Sequence, residues 1–447
     1  MNGGTFTPGV EKARAGIYFN FKSTALQRVG IGDRGTVALP VQTSWGEAKK
    51  FVSISSVEDL NRKVGINIDD PSLLLYREAA KKAKTVLLYR LTEGEKAAAT
   101  IGDMSVLARH GGSMGNSISI RIQPNVLDTD KRDVLTFVGT DEVDRQTVGT
   151  IEELQPNRFV EFNGSGILET TQGTFLLGGA NGTPSNADYT AFLEAAETEY
   201  FDTIALPVQG NEQLKATFTS FVKRIRDRQG IKVQGVLANY PGDFEGIINV
   251  TDGVILEDGT EITPELATAW VAGASAAATF RQSLTFMEYQ GAVDVLERRD
   301  EEEVIQRLGK GEFLFSFDPR DKTVSVERDI NSLTSFTSEK NQLFRKNKII
   351  RVLDGINNDI TSEIKLLIKT RKEAGNDIPA NDDGIQFIRT LCSVYFTTLE
   401  ENDGITNFDP ETDLDISLNQ DRDGFLINAG VQPVDAAEKF YFNVEVR

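Results

Sequence analysis

Three kinds of hydrophobic pattern divide the chain. Near both ends apolar and polar residues alternate. Ile17, Phe19 and Phe21 face Tyr18, Asn20 and Lys22, and Phe440, Phe442, Val444 and Val446 face Tyr441, Asn443, Glu445 and Arg447. A period of two places each apolar set on one side of a strand. In the second pattern, over 29–91 and again over 178–330, short apolar runs (36–40, 86–91, 203–208, 233–238, 246–250, 254–256) are interleaved with helical stretches such as 188–201 and 212–229. Strands and helices alternating at this spacing predict right-handed crossovers and a mostly parallel sheet. The third pattern covers 92–177. Its short alternating runs at 117–122, 134–138, 159–162 and 174–177 are separated by turn residues, which predicts an inserted β-sandwich-like or small-barrel domain.

Start and stop signals sharpen the helices. Thr263-Pro264-Glu265 supplies a capping hydroxyl, a proline at the first helical position and an acid in the first turn. The helix it opens, 266–278, is almost all Ala, Gly, Val, Thr and Ser around Trp270, so its backbone can pack close to a neighbour. Ser55-x-x-Glu58 reads as a capping box, and Pro71-Ser72 opens a second helix. Segments 312–317 and 323–327 predict a hairpin with Phe313, Phe315 and Phe317 on its buried face.

Toward the C-terminus, 341–372 carries Ile349, Val352, Leu353, Ile356, Ile360, Ile364 and Leu367 at helical spacing. Lys348, Arg351, Lys365, Lys369 and Lys372 fall opposite them. A second helix, 383–399, places Cys392 on its apolar stripe. The expected fold is multidomain α+β: an N-terminal arm (1–28), a small α/β unit (29–91), the inserted β domain (92–177), a central mostly parallel α/β core (178–330), a helical part (331–429) and a C-terminal strand arm (430–447).

Charge changes the picture in one place. The net charge is −19, yet 340–372 holds nine Lys or Arg against three acids. Segment 400–423 is the reverse, with nine acids and one arginine. The basic helix is either a solvated face or a docking surface for an acidic partner. The overall negative charge argues against nucleic acid as a partner. No apolar run approaches the length of a membrane span, and the first residues show no secretion signal.

Candidate chemistry is sparse. One histidine, His110, and one cysteine, Cys392, leave little for a zinc site or a histidine-based triad. Gly111-Gly112-Ser113-Met114-Gly115 fits the nucleophile-elbow pattern G-x-S-x-G, but a strand pattern follows it and no histidine lies downstream. Gly30 to Gly35 fits G-x-G-x-x-G, but it leads into a strand pattern rather than a helix. Asn419, Asp421, Asp423 and Gly424 imitate the start of a calcium loop whose twelfth position is Gly430 instead of glutamate. No P-loop sequence is present. Neither a cofactor nor a metal is expected. An enzyme with carboxylate chemistry on the α/β core stays open on the residues alone, as does a non-contractile shell or binding protein.

The order NYPGDFEG, DG, WVAGASAAA, SLT, YQGAVDV over 231–295, with the glycine-rich entry ARHGGSMGNSISIRI into the β domain, resembles the contractile tail sheath proteins of phages and phage-tail-like bacteriocins. The resemblance covers nearly the whole chain. It implies a non-catalytic subunit of a contractile injection system that stacks as hexameric rings around a tail tube and shortens on triggering. The partners it implies are other copies of the chain, the tube protein, and baseplate and tail-terminator proteins, without direct membrane insertion. It places assembly in a bacterial host cytoplasm and the product in the tail of a particle. Both alternating ends would then be arms that exchange strands between subunits, and the basic helix would meet the tube or a neighbour.

Overall fold

The structure, a computed structural model, describes residues 2–5, 17–19, 32 and 34–446. Its centre is a seven-stranded sheet in the order Glu312–Phe313, Ile247–Val250, Gln234–Ala238, Thr203–Leu206, Thr36–Val41, Thr85–Arg90, Phe51–Ile54. The first six strands are parallel and only Phe51–Ile54 runs antiparallel, at the edge. Both faces are covered, which is why these strands read as continuous apolar runs. Within Thr36–Val41, Val37, Leu39 and Val41 enter one core, and Ala38 enters the other with Phe192, Phe218 and Leu237.

Helix Pro264–Ala277 covers the first face, and every residue from Ala267 to Ala276 is buried. Thr263 caps it as its sequence predicts, and Trp270 stacks on Tyr289 at 4.4 Å between ring centroids. A Cβ at Gly273 would lie 2.4 Å from the carbonyl oxygen of Ala79, so the glycine sets how closely this helix crosses Leu74–Ala80. The opposite face is covered by Asn186–Ala196 and Glu212–Arg224.

The inserted unit consists of antiparallel sheets. One has the order Asp141–Val148, Arg132–Val138, Ile118–Pro124, Thr171–Phe175; the other is Val160–Asn163, Met104–Ala108, Ala98–Ile101. Ile118, Ile120, Ile122, Val106 and Val160 share one core between them. The C-terminal helices Asn347–Glu373 and Asp382–Glu401 enclose a separate core with Cys392, Tyr395, Phe396 and Leu399, against the hairpin Leu414–Leu418/Phe425–Ala429. No described helix is long and apolar enough to cross a membrane.

Several expectations shift. The capping serine of Val57–Lys63 is Ser56, bonded from the Asp59 amide, not Ser55. Pro40 lies inside a central strand instead of ending it. It is tolerated because the ladder to Thr203–Leu206 involves only Val37 and Ala38. The expected strand 312–317 is two strands. Phe313 ends a piece in the central sheet, while Phe315–Asp318 pairs with Thr323–Val326. Phe313 and Phe315 are buried, Phe317 only partly. The expected C-terminal strand does not form among the described residues, where 439–446 joins no sheet.

Candidate functional site

An open parallel sheet binds ligands outside the carboxyl ends of its strands where strand order reverses. Here that point lies between Thr36–Val41 and Thr203–Leu206. It is occupied by the chain's own connections. The Gln42 side-chain amide donates to Thr92 Oγ1 at 2.5 Å and to the Asn181 carbonyl, and the Thr92 hydroxyl donates to the same carbonyl. Thr92 and Asn181 lie where the chain enters and leaves the inserted β unit, so the ligand crevice of an enzyme is here a domain junction.

The glycine turn beside His110 belongs to the same junction. Gly112 has φ +129, and a Cβ there would lie 2.0 Å from the Ser44 carbonyl oxygen. Buried Arg90 donates to the carbonyls of Gly46 and Gly111. The Ser113 amide donates to Asn181 Oδ1, and a short 3-10 turn follows in place of the helix a nucleophile elbow needs. His110 packs edge-on against Trp45, and burial together with the Arg90 charge lowers its pKa. Burial raises the Cys392 thiol to about 11, so it is a core group and not a nucleophile. The calcium-like motif is a hairpin turn, with Asn419 Oδ1 accepting from the amides of Asp423 and Gly424. Among the described residues no cluster of potential metal ligands forms.

The five basic positions of the long helix divide into two groups. Lys365, Lys369 and Lys372 are exposed. Lys348 and Arg351 are not, and their assignment to an exposed face is corrected. Residues 347–352 are buried on every side, and Arg351 is 1% exposed. Its guanidinium donates to Asp329 at 2.6 Å and to the Gln282 carbonyl. Asp354, one turn on, receives two hydrogen bonds from Arg226 at 2.6 and 2.8 Å. A helical wheel assumes one wet face; the first two turns have none, because there Arg351 meets Ser275, the Gln282 carbonyl and Asp329.

The C-terminal arm has a fixed root and a free end. Glu438 accepts from Thr285 Oγ1 at 2.7 Å and pairs with Arg328 at 3.5 Å, and Lys346 pairs with Asp435. From residue 439 to 446 no hydrogen bond or ion pair joins the arm to the described chain. Phe440, Phe442, Val444 and Val446 all lie exposed, Phe442 at 87%. At the other end Ile17–Phe19 pairs in parallel with Asn2–Thr5; Phe21 lies outside the described residues. Among the described residues the hairpin Leu414–Leu418/Phe425–Ala429 pairs with no further strand, and it exposes Leu426 and Ile427. Its Leu414-Asp415-Ile416-Ser417-Leu418 alternation is visible in the sequence, but the acid content of 400–423 hides it.

Family models describing tail sheath domains match along almost the whole chain. They are a tail sheath protein Gp18 domain III N-terminal region (34–91), a phage tail sheath protein beta-sandwich domain (92–181), a phage tail sheath protein central domain (182–332) and a phage tail sheath C-terminal domain (339–447). The solved sheath tail protein of Desulfitobacterium hafniense is 45% identical, with 97% of this chain and 100% of that one covered and a TM-score of 0.86. The chain belongs to the phage tail sheath family.

This sheath protein is 63% identical to the phage-like element PBSX protein XkdK of Bacillus subtilis (strain 168) over the full length of both chains. It shares its fold with the helical sheath of the anti-feeding prophage in the contracted state, at a TM-score of 0.56 and 12% identity, with 98% and 99% of the chains covered. The sheath protein is a structural component and not an enzyme, as its family and fold neighbours are.

Proposed function

We propose that this sheath subunit polymerises as stacked hexameric rings around a tail tube and shortens on triggering to drive the tube through a target cell envelope. Its assembly would take place in a bacterial cytoplasm, with baseplate and tail-terminator proteins bounding the polymer, in a phage or a phage-tail-like bacteriocin. The observation that carries this reading is the free arm. Four apolar side chains at alternate positions beyond a fixed root are unfavourable in water and favourable in a neighbour. Burying each contributes about 1.5–3 kcal/mol before ordering costs. Strand addition supplies the geometry, with backbone hydrogen bonds for affinity and alternate side chains filling the acceptor. The unpaired edges of the hairpin Leu414–Leu418/Phe425–Ala429 are the acceptor we assign, with the N-terminal strand carrying Ile17, Phe19 and Phe21 joining the same exchange. A link of this kind stays closed while the bodies rotate past one another.

The exposed stripe Lys365, Lys369 and Lys372 is the surface we assign to the tube or to a neighbour's acidic 400–423 segment. Single exposed ion pairs contribute only about 0–1 kcal/mol, so repetition along the polymer supplies the hold. Reversal of Lys365 and Lys369 to glutamate is expected to weaken co-sedimentation with preformed tubes at least tenfold while polymerisation without tubes continues. Binding of the unmodified protein should fall as salt rises, since the screening length shrinks from about 8 Å at physiological ionic strength to about 3 Å at 1 M. Unchanged co-sedimentation of the reversed variant would make the stripe a solvated face.

A further inference from the structure

The inserted β unit meets the α/β body in a seam with no slack. The Met114 amide donates to the Ser44 carbonyl at 3.3 Å, and a Cβ at Gly112 would lie 2.0 Å from the same oxygen. A Cβ at Gly111 would lie 2.4 Å from the Glu93 carbonyl oxygen. Arg90 bridges the seam. It is 3% exposed, and it donates to Gly46 of the body at 2.6 Å and to Gly111 of the β unit at 2.7 Å. Both acceptors are neutral carbonyls, its Nε has no hydrogen-bond partner, and among the described residues no carboxylate forms an ion pair with it. Burial accordingly lowers its pKa to about 10. A buried guanidinium held only by carbonyls is costly, and a second positive charge beside it adds to that cost.

That second charge has a source in the chain's single histidine. His110 precedes Gly111 and is half-buried, with its ring edge-on to the buried Trp45 at 5.2 Å between centroids. Burial first, and then the Arg90 charge, hold the imidazole below its ordinary pKa. The other charged groups on the cleft of about 400 Å³ beside it are Glu47 and Lys50 of the body, Glu93 and Lys96 of the entering chain, and Arg109. Lys96 and Arg109 act with Arg90 against an imidazolium, and Glu47 acts for it. Glu47 is already paired with Lys50, both more than half exposed, and Glu93 is exposed as well. No buried carboxylate therefore waits for a proton on His110. We infer that His110 makes the seam acid-sensitive: protonated, it sets an uncompensated cation beside Arg90, and the β unit parts from the body while the central sheet stays folded. The folded-state pKa lies below the ordinary value of about 6.5, so the seam is fully stabilised above that value and loses stability as pH falls through the folded pKa. This concerns the single subunit and does not depend on strand exchange.

The test is hydrogen exchange of the full chain between pH 7.5 and 5, corrected for the intrinsic exchange rate and read on peptides 109–117 and 234–238. Protection of 109–117 should fall about threefold or more on acidification, while the central strand 234–238 keeps its own. In His110→Gln, which stays neutral throughout, protection of 109–117 should be level with pH. A level but lower profile would still separate the charge from the shape of the side chain. A level profile in the parent would overturn the inference. So would an equal fall in His110→Gln, which assigns the effect to another group, or a matching loss at 234–238, which means global unfolding.

Discussion

Deletion of 439–447 is expected to leave a folded, soluble subunit that no longer polymerises. Residues 439–446 form no hydrogen bond or ion pair with the described chain, and their apolar side chains are exposed, up to 96% at Val446. Removing them takes nothing from the body, so the urea midpoint should move by no more than about 0.5 kcal/mol equivalent, as for surface changes in general. Polymerisation loses much more. With roughly 1.5–3 kcal/mol for each of four side chains, even half of the gross burial raises the critical concentration by orders of magnitude. Truncation before Asp435 is a different change, because Asp435 and Glu438 hold Lys346 and Arg328. A 439–447 deletion that unfolds the subunit would mean that the arm completes its own core.

The second large effect is expected inside the body. Arg351→Met should destabilise the subunit by about 3–5 kcal/mol, because it leaves the Asp329 carboxylate buried without its counter-charge. The Leu284 amide and the Asn347 side chain still donate to Asp329, which sets the effect at that range and not above it. Lys369→Met, on the same helix but exposed, should change stability by about 0.5 kcal/mol or less. Urea denaturation of the two variants separates a structural arginine from a surface lysine. Equal midpoints would show that the Arg351–Asp329 pair contributes nothing net. The contrast also bears on mechanics. The first turns of Asn347–Glu373 are fixed into the α/β core by Arg351–Asp329 and Arg226–Asp354, and the later turns present exposed lysines, of which Lys369 and Lys372 pair with Glu373 and Asp377.

The parallel core was legible because local signals there agree with the fold. Thr263-Pro264 starts its helix where the sequence places it, and Gly273 has the close approach that a run of small residues implies. The β unit was legible as a class, but the strand Asp141–Val148 was missed because its edge position leaves it polar and exposed. Lys348 and Arg351 were misplaced for a physical reason. Periodicity reports where apolar residues lie and cannot tell a wet polar face from one met by a distant carboxylate such as Asp329. The arm was legible as an alternating pattern, whereas its root was not. Glu438 meets Thr285 and Arg328 across more than a hundred residues, and no local pattern encodes that contact. The hairpin near Leu426 was not anticipated, because its strand Leu414–Leu418 lies within the acid-rich segment 400–423.

Negative-stain microscopy of the purified chain alone tests the central claim most directly. Tubes of stacked rings are expected to form without tube protein, nucleotide or metal, and to be absent from the preparation lacking 439–447. A lasting monomer at concentrations of tens of micromolar, with its arm intact, would contradict it.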